Sequence, residues 1–266
     1  MVFTGNRTVE LKEADGSSED GPGVCLSVVI PAYNETSRIL PTLEKVLDFL
    51  RSRPESYEVV VVDDGSTDKT AELVEEVCRR SGAVRLLRNS VNSGKGVAVR
   101  KGMLNARGEY LLFTDADLSA PIADAELLLQ PLERGYDVVI GSRGLKREWI
   151  GIHQPRFREA AGRLFNLFIR AITGLEFRDT QCGFKAFRRQ AARAIFACQS
   201  TGGFGFDAEI LYLARKFAYR TLEVPVHWDH SAASKVNTLR DGFGMLFEVL
   251  RIRWNDWRGK YEAPAR

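Results

Sequence analysis

The sequence predicts a doubly wound α/β architecture, a mostly parallel sheet covered by helices on both faces, and three observations carry that prediction. Short β-branched runs alternate with amphipathic helical stretches from Cys25 onward. One run, Val59-Val60-Val61-Val62, is apolar at every position, as a strand buried on both faces requires. Acid-rich polar segments follow several of the runs, and the carboxyl ends of strands are where such sheets bind ligands.

Taken in order, residues 1–23 are rich in Gly, Ser, Asp and Glu without an apolar period, so a disordered leader is expected there. One globular domain is expected over 24–230. It opens with a strand over Leu26–Ile30 and a helix over Ile39–Leu50, then a strand over Glu58–Val62 and a helix over Thr70–Arg80. The alternation continues with a strand over Val84–Leu87, a helix over Lys95–Ala106, a strand over Tyr110–Phe113, a helix over Ala123–Arg134 and a strand over Val138–Ile140. Beyond Ile140 the rhythm changes to longer helices. Phe157, Ala161, Leu164, Phe165, Phe168 and Ile172 form one helical stripe with Arg156, Arg158, Arg163 and Arg170 off it. In the C-terminal amphipathic segment, 231–266, a second stripe joins Leu239, Phe243, Leu246, Phe247, Leu250, Trp254 and Trp257, beside Arg240, Arg251, Arg253 and Arg258. Each stripe fits either a core face or a face lying on a membrane surface.

With 266 residues, 44% hydrophobic and 27% charged, the chain is large enough to bury one substantial core. Four cysteines, at 25, 78, 182 and 198, lack the spacing of a zinc site or a disulfide framework, so a reducing, cytoplasmic setting is expected. No stretch approaches the roughly 20 apolar residues that cross a bilayer, so the chain is not expected to span a membrane by itself. The net charge of +3 is unevenly spread: residues 143–193 hold 12 basic against 4 acidic side chains. Such a block suits a solvated arginine surface or the phosphates of a substrate or membrane.

Three predicted strand ends carry the chemistry: Pro31-Ala32-Tyr33-Asn34-Glu35, Asp63-Asp64-Gly65-Ser66-Thr67-Asp68 and Thr114-Asp115-Ala116-Asp117. Two carboxylates one residue apart after a buried strand offer hard oxygen ligands to Mg2+ or Mn2+ lying across a diphosphate. Asp63 and Asp64 alone would also serve as a turn and helix cap before Thr70. Gly94-Lys95 invites a phosphate-loop reading, which the spacing rejects, because Asn89 stands where a glycine is needed and Gly96 where Ser or Thr is needed. The turn after the first strand has no G-x-G-x-x-G, so dinucleotide binding fails as well. Lys95 is read as the N-terminal residue of a helix facing either a diphosphate or solvent.

On these segments the chain resembles the family 2 glycosyltransferases. Asn92-Ser93-Gly94-Lys95-Gly96 and Gly141-Ser142-Arg143 extend the likeness, and Asp179-Thr180-Gln181-Cys182-Gly183-Phe184-Lys185, Phe206-Asp207-Ala208-Glu209 and Ser234-Lys235-Val236 are similar to the members that charge polyprenyl or dolichyl phosphate. The later segments favour the glucosyl branch over the mannosyl one. The resemblance implies a GT-A type nucleotide-diphospho-sugar fold, with 24–230 as the catalytic domain. It implies that Pro31, Tyr33, Glu35, Asp63, Lys95 and Asp115 line the nucleotide site, that Asp115 and Asp117 hold Mg2+ or Mn2+, and that Arg143, Arg158 and Lys235 bind the acceptor phosphate. Asp115, Asp117, Arg143 and Arg158 are then the catalytic set. Where mannosyl relatives carry Gln two residues after the second metal-motif Asp, this chain has Ser119, leaving either a third protein ligand or water at that place. The expected reaction is inverting transfer of a sugar, glucose before others, from a UDP-sugar to a polyprenyl (dolichyl) phosphate, by an enzyme peripheral on the cytoplasmic face of a membrane and without nucleic acid as partner. A GDP-mannose donor or non-lipid glycan acceptor, a non-catalytic membrane-surface module and a nucleotidyltransferase are the rivals.

Overall fold

The computed structural model describes residues 23–152, 156–229 and 238–262, with the side chains of 156–161 and 238–243 excepted. The expected leader thus lies outside the described residues apart from Gly23. Strand β1 (Leu26–Ala32) leads through α1 (Ile39–Arg51) to β2 (Tyr57–Asp63), and α2 (Thr70–Arg80) leads to β3 (Val84–Arg88). Next come α3 (Lys95–Asn105), β4 (Tyr110–Thr114), a 3-10 turn at Ile122–Asp124, α4 (Ala125–Glu133), β5 (Val138–Ser142) and β6 (Ile150–Ile152). The remainder is α5 (Arg156–Thr173), β7 (Phe184–Arg188), α6 (Arg189–Cys198), α7 (Phe206–Lys216), β8 (Thr221–Pro225), β9 (Trp228–Asp229) and α8 (Thr238–Trp257).

Seven strands form one sheet in the order β3-β2-β1-β4-β7-β5-β8, while β6 and β9 pair separately. All neighbours in the large sheet run parallel except β7, which is antiparallel to both β4 and β5. The apolar run in β2 has a simple cause. Val60 and Val62 point into a core under α3, α6 and α7, and Val59 and Val61 into the opposite core under α1, α2 and α4. All four are fully buried, each contributing roughly 1.5–3 kcal/mol of hydrophobic stabilisation. Gly102 lets α3 lie directly on β1 and β2, since a Cβ there would run into Val29.

Strands beyond Ile140 went unread in the sequence for a physical reason. β7 carries Lys185 and ends on Arg188, and β8 contains Glu223 and Pro225, so neither segment carries a strand-like apolar pattern. The two helical stripes also divide differently from a simple core face. On α5, Ile169 is buried and Phe165, Phe168 and Ile172 pack on the core, but Leu164 and Leu167 are exposed. On α8 the core is met by Val249, Ile252 and Asn255, with Tyr261 just beyond the helix. The stripe residues Phe247, Leu250, Trp254 and Trp257 stand outward instead, Trp257 being 77% exposed. Because α5 and α8 pack against each other, two helices present apolar side chains to the exterior side by side. No helix among the described residues is long and apolar enough to cross a membrane.

Candidate active site

The site is assembled at the carboxyl ends of β1, β2 and β4, with β1 in the middle. Register places Ala32 beside Asp63, and Asp63 beside Arg88 on β3. Loops after β1 and β2 are then stitched together. The Asn34 N–H donates to Ser66 Oγ at 2.8 Å, Asn34 Oδ1 accepts from the Thr67 N–H at 2.8 Å, and the Glu35 N–H donates to Thr70 Oγ1 at 2.7 Å. Asn34 holds φ +54°, a left-handed conformation that its short amide side chain tolerates. Asp68, which accepts from Thr70 and Thr36, is held down at about 2: burial works the other way, and the hydrogen bonds outweigh it.

Within this frame Glu35 is nearly buried and receives a two-pronged contact from Arg38, Nε to Oε2 at 2.6 Å and Nη2 to Oε1 at 2.8 Å. The same guanidinium reaches toward Asp117, with Nη1 4.0 Å from Oδ2. Asp117 is turned by the Ser119 N–H, which donates to its Oδ1 at 3.0 Å. Ser119 thus contributes its backbone to the turn that carries Asp117. Asp115 faces the start of α3, where Lys95 Nζ lies 2.6 Å from its Oδ1. Burial opposes the Lys95 charge, and Asp115 followed by Asp207 more than compensates, raising its pKa above the ordinary lysine value. Pro31 is the penultimate residue of β1, opposite Val62, Tyr33 is 37% exposed just beyond the strand, and Asp63 is fully buried with Oδ2 lacking a hydrogen-bond donor among the described residues, although Arg88 Nε stands 3.6 Å away.

Asp64 does not cap α2. Its carboxylate instead gathers the loop before α3, accepting from Asn89 Nδ2 at 2.7 Å, the Ser93 N–H at 3.0 Å and the Gly94 N–H at 2.8 Å. Lys95 owes its position to that carboxylate. The acids at 35 and 117 share Arg38, Asp63 ends β2 with Asp64 directly after it, and Asp115 reaches the Asp64 loop through Lys95. The structure therefore gathers the predicted nucleotide and metal residues around one strand-end cluster.

Arg143, at the end of β5, is held by Asp179 through Nε at 2.7 Å and Nη2 at 2.8 Å, and it lies over the Trp228 ring at 5.4 Å. Burial opposes both charges, but each partner outweighs it, so Arg143 is raised and Asp179 lowered from their ordinary values. Lys235 and the Arg158 side chain lie outside the described residues. Beneath the cluster is a pair to which the sequence reading gave no role: Lys185 on β7 donates to Asp207 on α7 and to the Cys182 carbonyl, with both charged groups buried. Arg38 was missed as well, although its place three residues after Glu35 on an incipient helix was a usable signal.

Among the described residues no group of three or more His, Cys, Asp or Glu side chains could hold a metal ion. Asp115 and Asp117, both part-exposed hard oxygen donors at one strand end, fit a divalent ion whose other ligands are phosphate and water.

The sequence model of the family described as Glycosyl transferase family 2 matches residues 27–196. Proteins named dolichyl-phosphate beta-glucosyltransferase are similar over most of the chain. The one from Dictyostelium discoideum is 35% identical over 254 residues, covering 91% of this chain and 78% of the relative. That from Homo sapiens is 36% identical over 265 residues (93% and 82%), and that from Drosophila melanogaster is 39% identical over 260 residues (91% and 79%). Among solved structures, glucosyl-3-phosphoglycerate synthase from Mycobacterium tuberculosis, in complex with Mn2+, UDP and glucosyl-3-phosphoglycerate, gives a TM-score of 0.61 at 21% identity, covering 91% of this chain and 82% of that one. Mannosyl-3-phosphoglycerate synthase from Rubrobacter xylanophilus gives 0.61 at 20% identity, covering 91% and 77%. These likenesses place the fold among the GT-A glycosyltransferases.

Proposed function

The chain belongs to glycosyl transferase family 2, and from that premise we propose that it moves glucose from UDP-glucose to dolichyl or another polyprenyl phosphate, working at the cytoplasmic surface of a membrane. The observation that carries this reading is the gathering of Asp115 and Asp117 with Lys95 and Arg38 beside Glu35 and Asp63. The glucosyl and lipid-phosphate assignments draw on the relatives' names, at 35–39% identity over most of the chain.

In this reading Tyr33 offers a ring face to the base, while Asp63 and Glu35 supply acceptors for base and ribose donors. Asp63 Oδ2, buried without a hydrogen-bond donor among the described residues, is suited to an incoming N–H. Asp115 and Asp117 would hold Mg2+ or Mn2+, which when bound neutralises charge building on the departing diphosphate. Lys95 adds a cation on the α3 side of that diphosphate. An oxygen of the lipid phosphate forms the new bond to the anomeric carbon as the bond to UDP breaks, inverting the α-linkage of the donor to a β-linkage. A phosphate is already anionic near neutral pH, so no strong general base is required. Its alignment falls to Arg143, oriented by Asp179, together with Arg158 and Lys235.

The outward apolar side chains of α8 and α5, with Arg251 and Arg258 exposed among them, fit the headgroup boundary of an anionic bilayer in which such an acceptor resides. Labelled UDP-glucose incubated with dolichyl phosphate and Mn2+ should yield label extractable into organic solvent, with GDP-mannose a poor substitute. Label that stays in the aqueous phase, or label taken equally from GDP-mannose, would refute the assignment.

A further inference from the structure

The loop between α6 and α7 is held from both sides by unusual means. Toward α3, the Gly96 N–H donates to the Gly202 carbonyl at 2.8 Å, and Gln199 Nε2 donates to the Gly96 carbonyl at 2.9 Å. A Cβ on Gly94 would stand 2.5 Å from the Gly202 oxygen, and one on Gly96 would stand 2.6 Å from the Thr201 oxygen. Backbone is therefore pressed on backbone on either side of Lys95. Toward α8, Glu248 accepts the Gly203 N–H at 3.1 Å through Oε1 and the Gly205 N–H at 2.7 Å through Oε2. A Cβ on Gly203 would run into that carboxylate, and one on Gly205 would come within 2.7 Å of Glu248 Cβ. Glu248 sits between exposed Phe247 and buried Val249.

We infer that Glu248 is a positioning residue for the donor site: through two backbone amides of the 203–205 turn it fixes the carbonyls on which the first turn of α3, and so Lys95, is seated. The same side chain ties the helix bearing the outward apolar row to the carboxylate cluster. Loosening the turn shifts the Gly202 carbonyl on which the Gly96 N–H rests and so weakens the 2.6 Å contact of Lys95 with Asp115. The effect belongs to the donor and not to the acceptor, because Lys95 and Asp115 line the diphosphate side. The inference rests on the donor-site reading above.

The test compares Glu248→Ala and Glu248→Gln with the wild type in two assays: steady-state transfer from UDP-glucose to dolichyl phosphate in detergent with Mn2+, and calorimetric binding of UDP with Mn2+. Glu248→Ala is expected to raise the UDP-glucose KM and the UDP Kd about tenfold while the acceptor KM stays within about twofold, with Glu248→Gln, which keeps one acceptor oxygen, in between. A lower kcat with both KM values and the UDP Kd unchanged would overturn the inference, reducing Glu248 to a brace for α8. Should the alanine variant not fold, the glutamine variant decides by the same criteria. A wild type that binds UDP but transfers no glucose contradicts the proposed function alone, and the Kd comparison still decides the role of Glu248. A wild type that binds no UDP overturns both.

Discussion

Replacing Lys185 by Met tests how the carboxylate cluster is supported from below. Lys185 is fully buried on β7 and Asp207 is 2% exposed on α7, so the substitution strands a carboxylate in the core rather than exchanging one surface contact for water. Removing one partner of a buried pair costs about 3–5 kcal/mol, and at roughly 2–4 °C per kcal/mol for a chain of this size the melting temperature should fall by about 10 °C. The loss depends on pH in a definite direction. Burial already pushes the Asp207 carboxyl up against the pull of Lys185 and then Lys95, and deleting Lys185 drives it further. A carboxyl whose folded pKa exceeds its unfolded one contributes stability that is present below the unfolded value and lost as pH rises through the folded value. The deficit of Lys185→Met should therefore be largest at pH 8 and shrink toward pH 5, as read by urea midpoints at both. Adding Asp207→Asn should recover most of the loss, because the stranded charge is gone. A single variant as stable as the wild type at pH 8, or a double variant no better than the single, would refute the reasoning.

Other perturbations follow from the same geometry. Asp117→Ala should lower glucosyl transfer by roughly 100-fold or more, with circular dichroism and melting temperature almost unchanged, because this carboxylate is part-exposed and bonded mainly to its own turn; retained turnover in the presence of a chelator would remove the metal role. Gly94→Ala meets both a φ of +100° and the Gly202 oxygen at 2.5 Å, so it should cost about 1–3 kcal/mol in urea unfolding and weaken UDP binding with it. Phe247→Glu with Trp257→Glu alters two side chains that are 70% and 77% exposed. Vesicle sedimentation with anionic lipid at low salt should show binding lost while the melting temperature stays within about 2 °C; unaltered sedimentation would show that this face does not meet lipid.

The nine predicted elements of the first 140 residues were legible because each is a local statement. Valine runs mark strands buried on both faces, a 3.6 period marks their covering helices, and the acids at 35, 63, 115 and 117 stand at strand ends whatever the loops do. The family itself was legible in the same way, from short segments of fixed spacing. Long-range pairing decided the rest. No sequence rule places Phe184–Arg188 antiparallel between β4 and β5, because its lysine is made tolerable by Asp207 on α7 and the Cys182 carbonyl. Asp64 looked like a cap and proved to be the anchor of the loop before Lys95, a role that depends on amides some thirty residues away. The α8 stripe was legible as apolar, but whether it faced core or exterior was fixed by Val249 and Ile252 reaching the core from the other side. Sequence determines what a segment can bury, and only the packed chain determines which of its faces is covered.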